Sequence, residues 1–89
     1  MFTGIVEEVG KVNTFNDFTL IVECKKILEG IKIGDSISTS GICLTVTNLE
    51  GNKISFDLSE ETINKSIFGK EQEITHVNLE RSATLETRI

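Results

Sequence analysis

The chain from Ser40 to Thr62 alternates apolar and polar residues twice. Ile42, Leu44 and Val46 fall on one face of the first run, and Ile54, Phe56 and Leu58 on one face of the second. The opposite faces carry Cys43, Thr45 and Thr47, then Ser55 and Asp57. A period of two is the mark of a half-buried strand. Leu49-Glu50-Gly51-Asn52 joins the runs, and its Gly and Asn tolerate positive φ, so the stretch predicts a β-hairpin. One face of that hairpin builds a core. The other presents a thiol, hydroxyls and a carboxylate, and is either a wet surface or a site.

The flanking chain extends the pattern. Phe2 to Val12 is β-rich, interrupted by Gly4 and Gly10, and a glycine inside a strand marks a bulge, a bend or a close approach. Asn13 to Asp17 reads as a turn, after which Phe18, Leu20 and Val22 alternate as a second strand. Ile21 makes the other face of that strand partly apolar. Cys24 to Gly30 predicts a helical turn closed by Gly30. Gly34-Asp35 turns the chain into a third strand, Ser36 to Thr39.

Beyond the hairpin, Ser59 is a suitable N-cap, with Glu60 and Glu61 in the first turn, where the helix dipole favours acid. Leu58 and Ile63 have the spacing of a hydrophobic staple. Ile63 and Ile67 share a face, and Gly69 ends the helix. Gln72 to Ala83 predicts the last strand, with Val77 and Leu79 inward and Asn78 and Glu80 outward, followed by a loose tail from Thr84 to Ile89. The expectation is all-β: a six-stranded antiparallel Greek-key barrel with two short helices, because closure removes the exposed edges of such short strands.

Composition narrows the function. A chain of 89 residues makes one domain, residues 1–89, with neither repeat nor linker. Such a domain buries only about 60–65% of its unfolded surface, so its core is small. The net charge is −5 and neither Tyr nor Trp occurs, which disfavours the basic groove and stacking aromatics of a single-stranded nucleic-acid binder. No apolar run approaches the roughly 18–20 residues of a membrane span, and MFTGIVEEVG lacks the pattern of a signal peptide. Cys24 and Cys43 read as free thiols of a reducing, cytoplasmic chain. With one His and no CxxC or HxxxH spacing, no metal site is expected.

Taken singly, the candidate residues have ordinary explanations. A strand thiol such as Cys43 is usually a small hydrophobe, and Thr45 and Thr47 are common strand residues. Asp57 and Ser59 fit roles at the helix start, and no His lies in the motif to activate a nucleophile. His76 reads as a surface residue of the last strand. Flavin-binding reductase barrels show an Arg-x-Tyr-Ser motif, and this chain has no Tyr.

Four blocks read together are more specific. MFTGIVEEVG, GDSISTSGICLTVT, ISFDLSEET and VNLERSA, in this order, resemble the N-terminal barrel of riboflavin synthase of the alpha-chain type, over nearly the whole chain. Lumazine proteins, the cousins that bind without catalysing, tend to lose parts of the Cys-Leu-Thr and Glu-Thr segments, and Cys43-Leu44-Thr45 and Glu61-Thr62 are intact here. The resemblance implies a transferase that moves a four-carbon unit between two molecules of 6,7-dimethyl-8-ribityllumazine, giving riboflavin and a pyrimidinedione, without metal or added cofactor. It implies two similar barrels per subunit, a homotrimer, and an active site between the N-barrel of one subunit and the C-barrel of the next.

Residue by residue, the resemblance implies ligand contacts at Gly4, Ile5 and Val6, at Cys43, Leu44 and Thr45, and at Asp57, Leu58, Ser59, Glu60, Glu61 and Thr62; it leaves catalytic residues unassigned. A pteridine edge offers N–H and C=O groups that exposed backbone can pair with, Thr45, Asp57, Ser59 and Thr62 suit ribityl hydroxyls, and Ile5 and Val6 suit the ring. The chain departs from the family at Ser40-Gly41, where Asn-Gly is usual, and at Glu71-Gln72-Glu73, where Gly-Asp is usual. The family's Gly-Gly-His segment and second barrel are not in these 89 residues, so an excised or truncated domain is expected, which as an isolated domain forms a homodimer and has little activity. The alternative is a non-catalytic carrier or optical protein for a lumazine-type chromophore.

Overall fold

The computed structural model describes residues 2–66, 68 and 74–82. Six strands close into a barrel: β1 (Glu8–Asn16), β2 (Thr19–Glu23), β3 (Ser36–Thr39), β4 (Ile42–Glu50), β5 (Lys53–Asp57) and β6 (His76–Arg81). The spatial order is β1-β2-β5-β4-β3-β6, with β6 returning to β1 and every pair antiparallel. Consecutive strands β3, β4 and β5 form a meander, whereas β2 to β3 and β5 to β6 cross the barrel, which makes the topology a Greek key. The helical pieces are a 3-10 turn (Lys26–Leu28) and α1 (Glu60–Asn64).

The alternation sorts inside from outside as expected. Leu20 and Val22 of β2, Ile37 of β3, Leu44 and Val46 of β4, Ile54 and Phe56 of β5, and Val77 and Leu79 of β6 fill the interior. Ile27 of the 3-10 turn and Leu58 join the same core. At Gly10 of β1 no side chain fits: an added methyl would stand 2.5 Å from Val22 Cγ1 and 2.6 Å from Leu79 Cδ1. This glycine is therefore a point of close approach between β1 and the packed side chains of β2 and β6.

Several boundaries differ from the sequence pattern. Phe2 to Glu7 is not a strand; Gly4 sits at φ +83°, outside the β region, and regular pairing begins at Glu8. Asn13 to Asn16 belong to β1, and the reversal is made by Asp17 and Phe18 alone, both at positive φ, with Asn16 opposite Thr19. Phe18 is thus a turn residue, 53% exposed, rather than the start of the apolar face. Thr47 lies where the register of β4 against β5 shifts between Val46 and Asn48, and its hydroxyl donates to the Ser55 carbonyl at 3.1 Å.

Helix α1 begins as its capping signals predict. The Ser59 hydroxyl accepts from the Thr62 N–H at 3.0 Å, Leu58 is buried and Ile63 packs against the core beside it. It ends earlier than its apolar spacing suggests, at Asn64; Ile67 and the Gly69 stop lie outside the described residues, as do Gln72, Glu73 and the tail from Ala83.

Candidate functional site

The outer wall of β4, β3 and β6 carries the small polar residues. Ser36 stands opposite Thr45 and Ser38 opposite Cys43 across the β3–β4 ladder. On its other side Ser38 is opposite Glu80 of β6. These are the outward positions, since their neighbours Ile37, Leu44, Val46 and Leu79 are core residues. Glu80, Ser38 and Cys43 therefore form one lateral row, with Ser36 and Thr45 in the next. The pairing of Val46 with Phe56 carries this second row toward Asp57 at the end of β5.

The N-terminal segment covers one end of the row. Glu80 points outward yet is only 7% exposed, because Thr3 and Gly4 lie over its carboxylate. The Thr3 N–H and hydroxyl donate to Oε2 at 2.5 and 2.8 Å, and the Gly4 N–H reaches Oε1 at 3.1 Å and Oε2 at 3.2 Å. Burial pushes this carboxyl's pKa up, but the donations from Thr3 and Gly4 outweigh burial and the nearby charge of Glu7 and leave it below the ordinary value. The expectation that Glu80 faces outward holds; full exposure does not follow, because the segment roofs it.

An open cleft of about 210 Å³ lies here. Gly4 and Val6 line it from the N-terminal segment, Ser38, Ser40 and Gly41 from β3 and the β3–β4 turn, and Asn78 to Glu80 from β6. The turn is tied to β6 at both backbone and side chain: the Ser40 N–H donates to the Asn78 carbonyl at 2.7 Å, and the Asn78 N–H donates to the Ser40 hydroxyl at 3.1 Å. Ser40 and Gly41 take φ of +49° and +86°, the two-residue hairpin conformation that Asn-Gly favours.

The expected ligand residues fall into three groups. Gly4 and Val6 line the cleft, and Ile5 between them is 69% exposed. Cys43 and Thr45 are exposed on the outer wall, whereas the Leu44 side chain is in the core and its backbone lies opposite Ile37 in the β3–β4 ladder. In the third group Asp57 is exposed and accepts from the Thr19 hydroxyl at 3.4 Å, while Leu58 is a core residue whose N–H donates to the Phe18 carbonyl. Ser59 and Thr62 engage each other in the helix cap, with the Ser59 hydroxyl 2.8 Å from Thr62 Oγ1. Glu60 is exposed, and Glu61 pairs with Lys65 at 2.7 Å on the solvent side of α1.

Ladder register joins the first two groups through Ser38 and leads the second toward the third. Sequence reasoning missed Ser36, Ser38, Ser40, Asn78 and Glu80. The outward alternation of Ser36 and Ser38 in Ser-Ile-Ser-Thr was the available signal for the first two.

Along this wall hydroxyls and a thiol can exchange hydrogen bonds with a neutral polar ligand. His76 begins β6 opposite Lys11, away from the Cys43 row, so no imidazole is paired with that thiol. The other thiol, Cys24, lies in the core, where burial and the charge of Glu8 push it up to about 12, which keeps it protonated and inert. Among the described residues no cluster of three or more His, Cys, Asp or Glu side chains is placed to hold a metal ion.

The family model described as the lumazine binding domain matches residues 3–82, from the segment over Glu80 to the end of β6. The chain belongs to the lumazine-binding domain family. Its relatives include riboflavin synthases: from Photobacterium phosphoreum at 43% identity over 93 residues, from Bacillus subtilis at 38% over 92, and from Meyerozyma guilliermondii at 39% over 102. Each alignment takes in 99–100% of this chain and 43% of the relative, so this lumazine-binding barrel spans less than half the length of the curated relatives it matches.

Proposed function

We propose that this barrel binds 6,7-dimethyl-8-ribityllumazine or riboflavin, as the N-terminal domain of a riboflavin synthase whose full chain transfers a four-carbon unit between two lumazines. The observation that carries the reading is the outer wall itself. Cys43 and Thr45, in one of the four blocks that carry the family resemblance, face outward beside Ser36 and Ser38, and the wall continues to Gly4 and Val6. The hydroxyls suit the ribityl chain of such a neutral ligand.

In this reading the wall is half of a pocket, and a second barrel supplies the rest. A single barrel then turns over little by itself and pairs with a second copy, while the full enzyme is a trimer. The exposed apolar side chains Ile5, Val6 and Val9 support a contact of this kind. Neither metal nor added cofactor is needed, and the setting is cytoplasmic.

The test is a fluorescence titration with riboflavin and with the lumazine, on the wild type and Thr45→Val. Saturable binding by the wild type, weakened at least severalfold by the loss of one hydroxyl, is expected. Absence of saturation with both ligands overturns the reading, and unchanged affinity in Thr45→Val overturns the placement of the ligand on this face.

A further inference from the structure

We infer that Glu80 is a positioning residue for the ligand site: its carboxylate fixes Thr3 and Gly4, so that Gly4 and Val6 stand as one wall of the cleft. This rests on the reading of that face as a lumazine or riboflavin site.

Burial alone does not hold the segment in place. Ile5 and Val6 are 69% and 48% exposed, and their side chains contribute nothing to the core. The segment is instead held by polar contacts at its two ends. At one end Glu80 collects the Thr3 N–H, the Thr3 hydroxyl and the Gly4 N–H. At the other, the Glu7 N–H donates to the Leu79 carbonyl at 2.9 Å and the Glu7 carboxylate pairs with Arg81. Residues 4–6 span the two anchors.

The chemistry at the first anchor favours a carboxylate. Every partner of Glu80 here is a donor, and an ionised carboxylate is acceptor-only at both oxygens. A glutamine would turn an NH₂ group toward one or more of those donors. The positive φ of Gly4 brings consecutive N–H groups onto one carboxylate, the concave backbone arrangement that favours an anion.

The charges around Glu80 are few. Glu7 faces it from the segment and is itself engaged by Arg81, with Lys26 of the 3-10 turn acting on Glu7. β3 presents Ser38 and has no titratable residue. Protonating Glu80 therefore removes the charge that gathers Thr3 and Gly4 and turns one of its two acceptor oxygens into a donor, and β3 supplies no second carboxylate.

The experiment uses the 89-residue chain as wild type, Glu80→Gln and Glu80→Asp. It follows riboflavin affinity by fluorescence across pH, amide hydrogen exchange at Thr3 to Val6, and the thermal midpoint. Glu80→Gln is expected to bind riboflavin about tenfold more weakly and to exchange its Thr3 and Gly4 amides faster by a similar factor, with Glu80→Asp regaining part of both. Wild-type affinity falls as the pH drops below the ordinary carboxylate range, and the step is smaller in Glu80→Gln, which keeps only the part that comes from the Glu7–Arg81 anchor.

Wild-type affinity and exchange in Glu80→Gln overturn the proposal. So does a loss of binding that tracks the thermal midpoint, with no recovery in Glu80→Asp and no acid step in the wild type. If Glu80→Gln does not fold, the acid step in exchange at Thr3 and Gly4 is followed in Glu7→Gln: its persistence supports Glu80, and its loss overturns the proposal. A wild type that binds neither riboflavin nor the lumazine overturns the ligand reading and this proposal with it, whereas binding with unchanged exchange overturns the role of Glu80 alone.

Discussion

Arg81 grips Glu7 through its guanidinium and its backbone at once: Nη2 lies 2.7 Å from Oε2, Nε 3.1 Å from Oε1, and the Arg81 N–H donates to the same Oε1 at 2.8 Å. The free edge of the guanidinium donates from Nη1 to the Glu29 carbonyl at 3.0 Å, so one side chain ties β6, the N-terminal segment and the loop after the 3-10 turn together. The pair is mostly buried, with side-chain exposures of 13% for Arg81 and 18% for Glu7. Hydrogen bonds from Arg81, opposed by burial, hold the Glu7 carboxyl below its usual value.

A depressed folded-state carboxyl pKa stabilises the fold above the unfolded value of 4.5, and the stabilisation is lost as pH falls through the lower folded value. Glu7→Gln is expected to cost about 1.5–3 kcal/mol at neutral pH, the range for hydrogen bonds to charged groups. Urea unfolding at pH 7 and in acid checks this. The gap between wild type and variant narrows in acid, and a constant gap counts against the ion pair as its source.

Gly10 is expected to resist enlargement. A methyl at this position meets Val22 Cγ1 and Leu79 Cδ1 well inside contact distance, and the Glu23 carbonyl is 3.3 Å away. Gly10→Ala should destabilise the barrel by about 1–3 kcal/mol through overpacking, even though alanine removes backbone entropy from the unfolded chain. Thermal and urea melts measure it.

Thr39 points into the barrel with no exposure, and its hydroxyl has no hydrogen-bond partner among the described residues. A buried, unpaired hydroxyl costs free energy that an isosteric methyl does not. Thr39→Val is therefore expected to be neutral or stabilising by about 1 kcal/mol, read as a higher urea midpoint with unchanged slope. A clear loss of stability would show that the hydroxyl has a partner in solution.

The β1–β2 turn carries a correctable strain. Phe18 sits at φ +64°, where a Cβ is disfavoured by about 1–2 kcal/mol, and half of its surface is in water. Phe18→Gly is expected to raise the thermal midpoint, since little burial is lost and the left-handed conformation becomes easy. A fall in the midpoint would mean that the ring contributes more than its exposure suggests.

The parts of the fold that were legible in the sequence are those set by alternation. From Ile42 to Leu58 the pleat fixes which side chains point inward, and the capping chemistry of Ser59 fixes where α1 begins. The β1–β2 reversal was misplaced because a phenylalanine in a left-handed turn carries no turn signal, while Asn13 and Asn16, which do, are spent inside a strand. Glu80 shows the other limit. Alternation gives the direction of a side chain but not what will cover it, and the cover here comes from residues 76 and 77 positions away in the chain. The outward faces of Cys43 and Thr45 were legible from alternation, and the family from its motif blocks. Ser38, the residue between Cys43 and Glu80, needed the strand order, which no local pattern supplies.

In β4, Ile42, Leu44 and Val46 face or pack against the core, while Cys43 and Thr45 face the wall. Core packing and surface chemistry are thus written on alternate letters of the same five residues. Selection can rewrite 43 and 45 while leaving 42, 44 and 46 as they are, so such a barrel can change the chemistry of its outer wall without first changing how it folds. A single-residue insertion ahead of the strand has the opposite effect: it exchanges the two sets and abolishes both properties together.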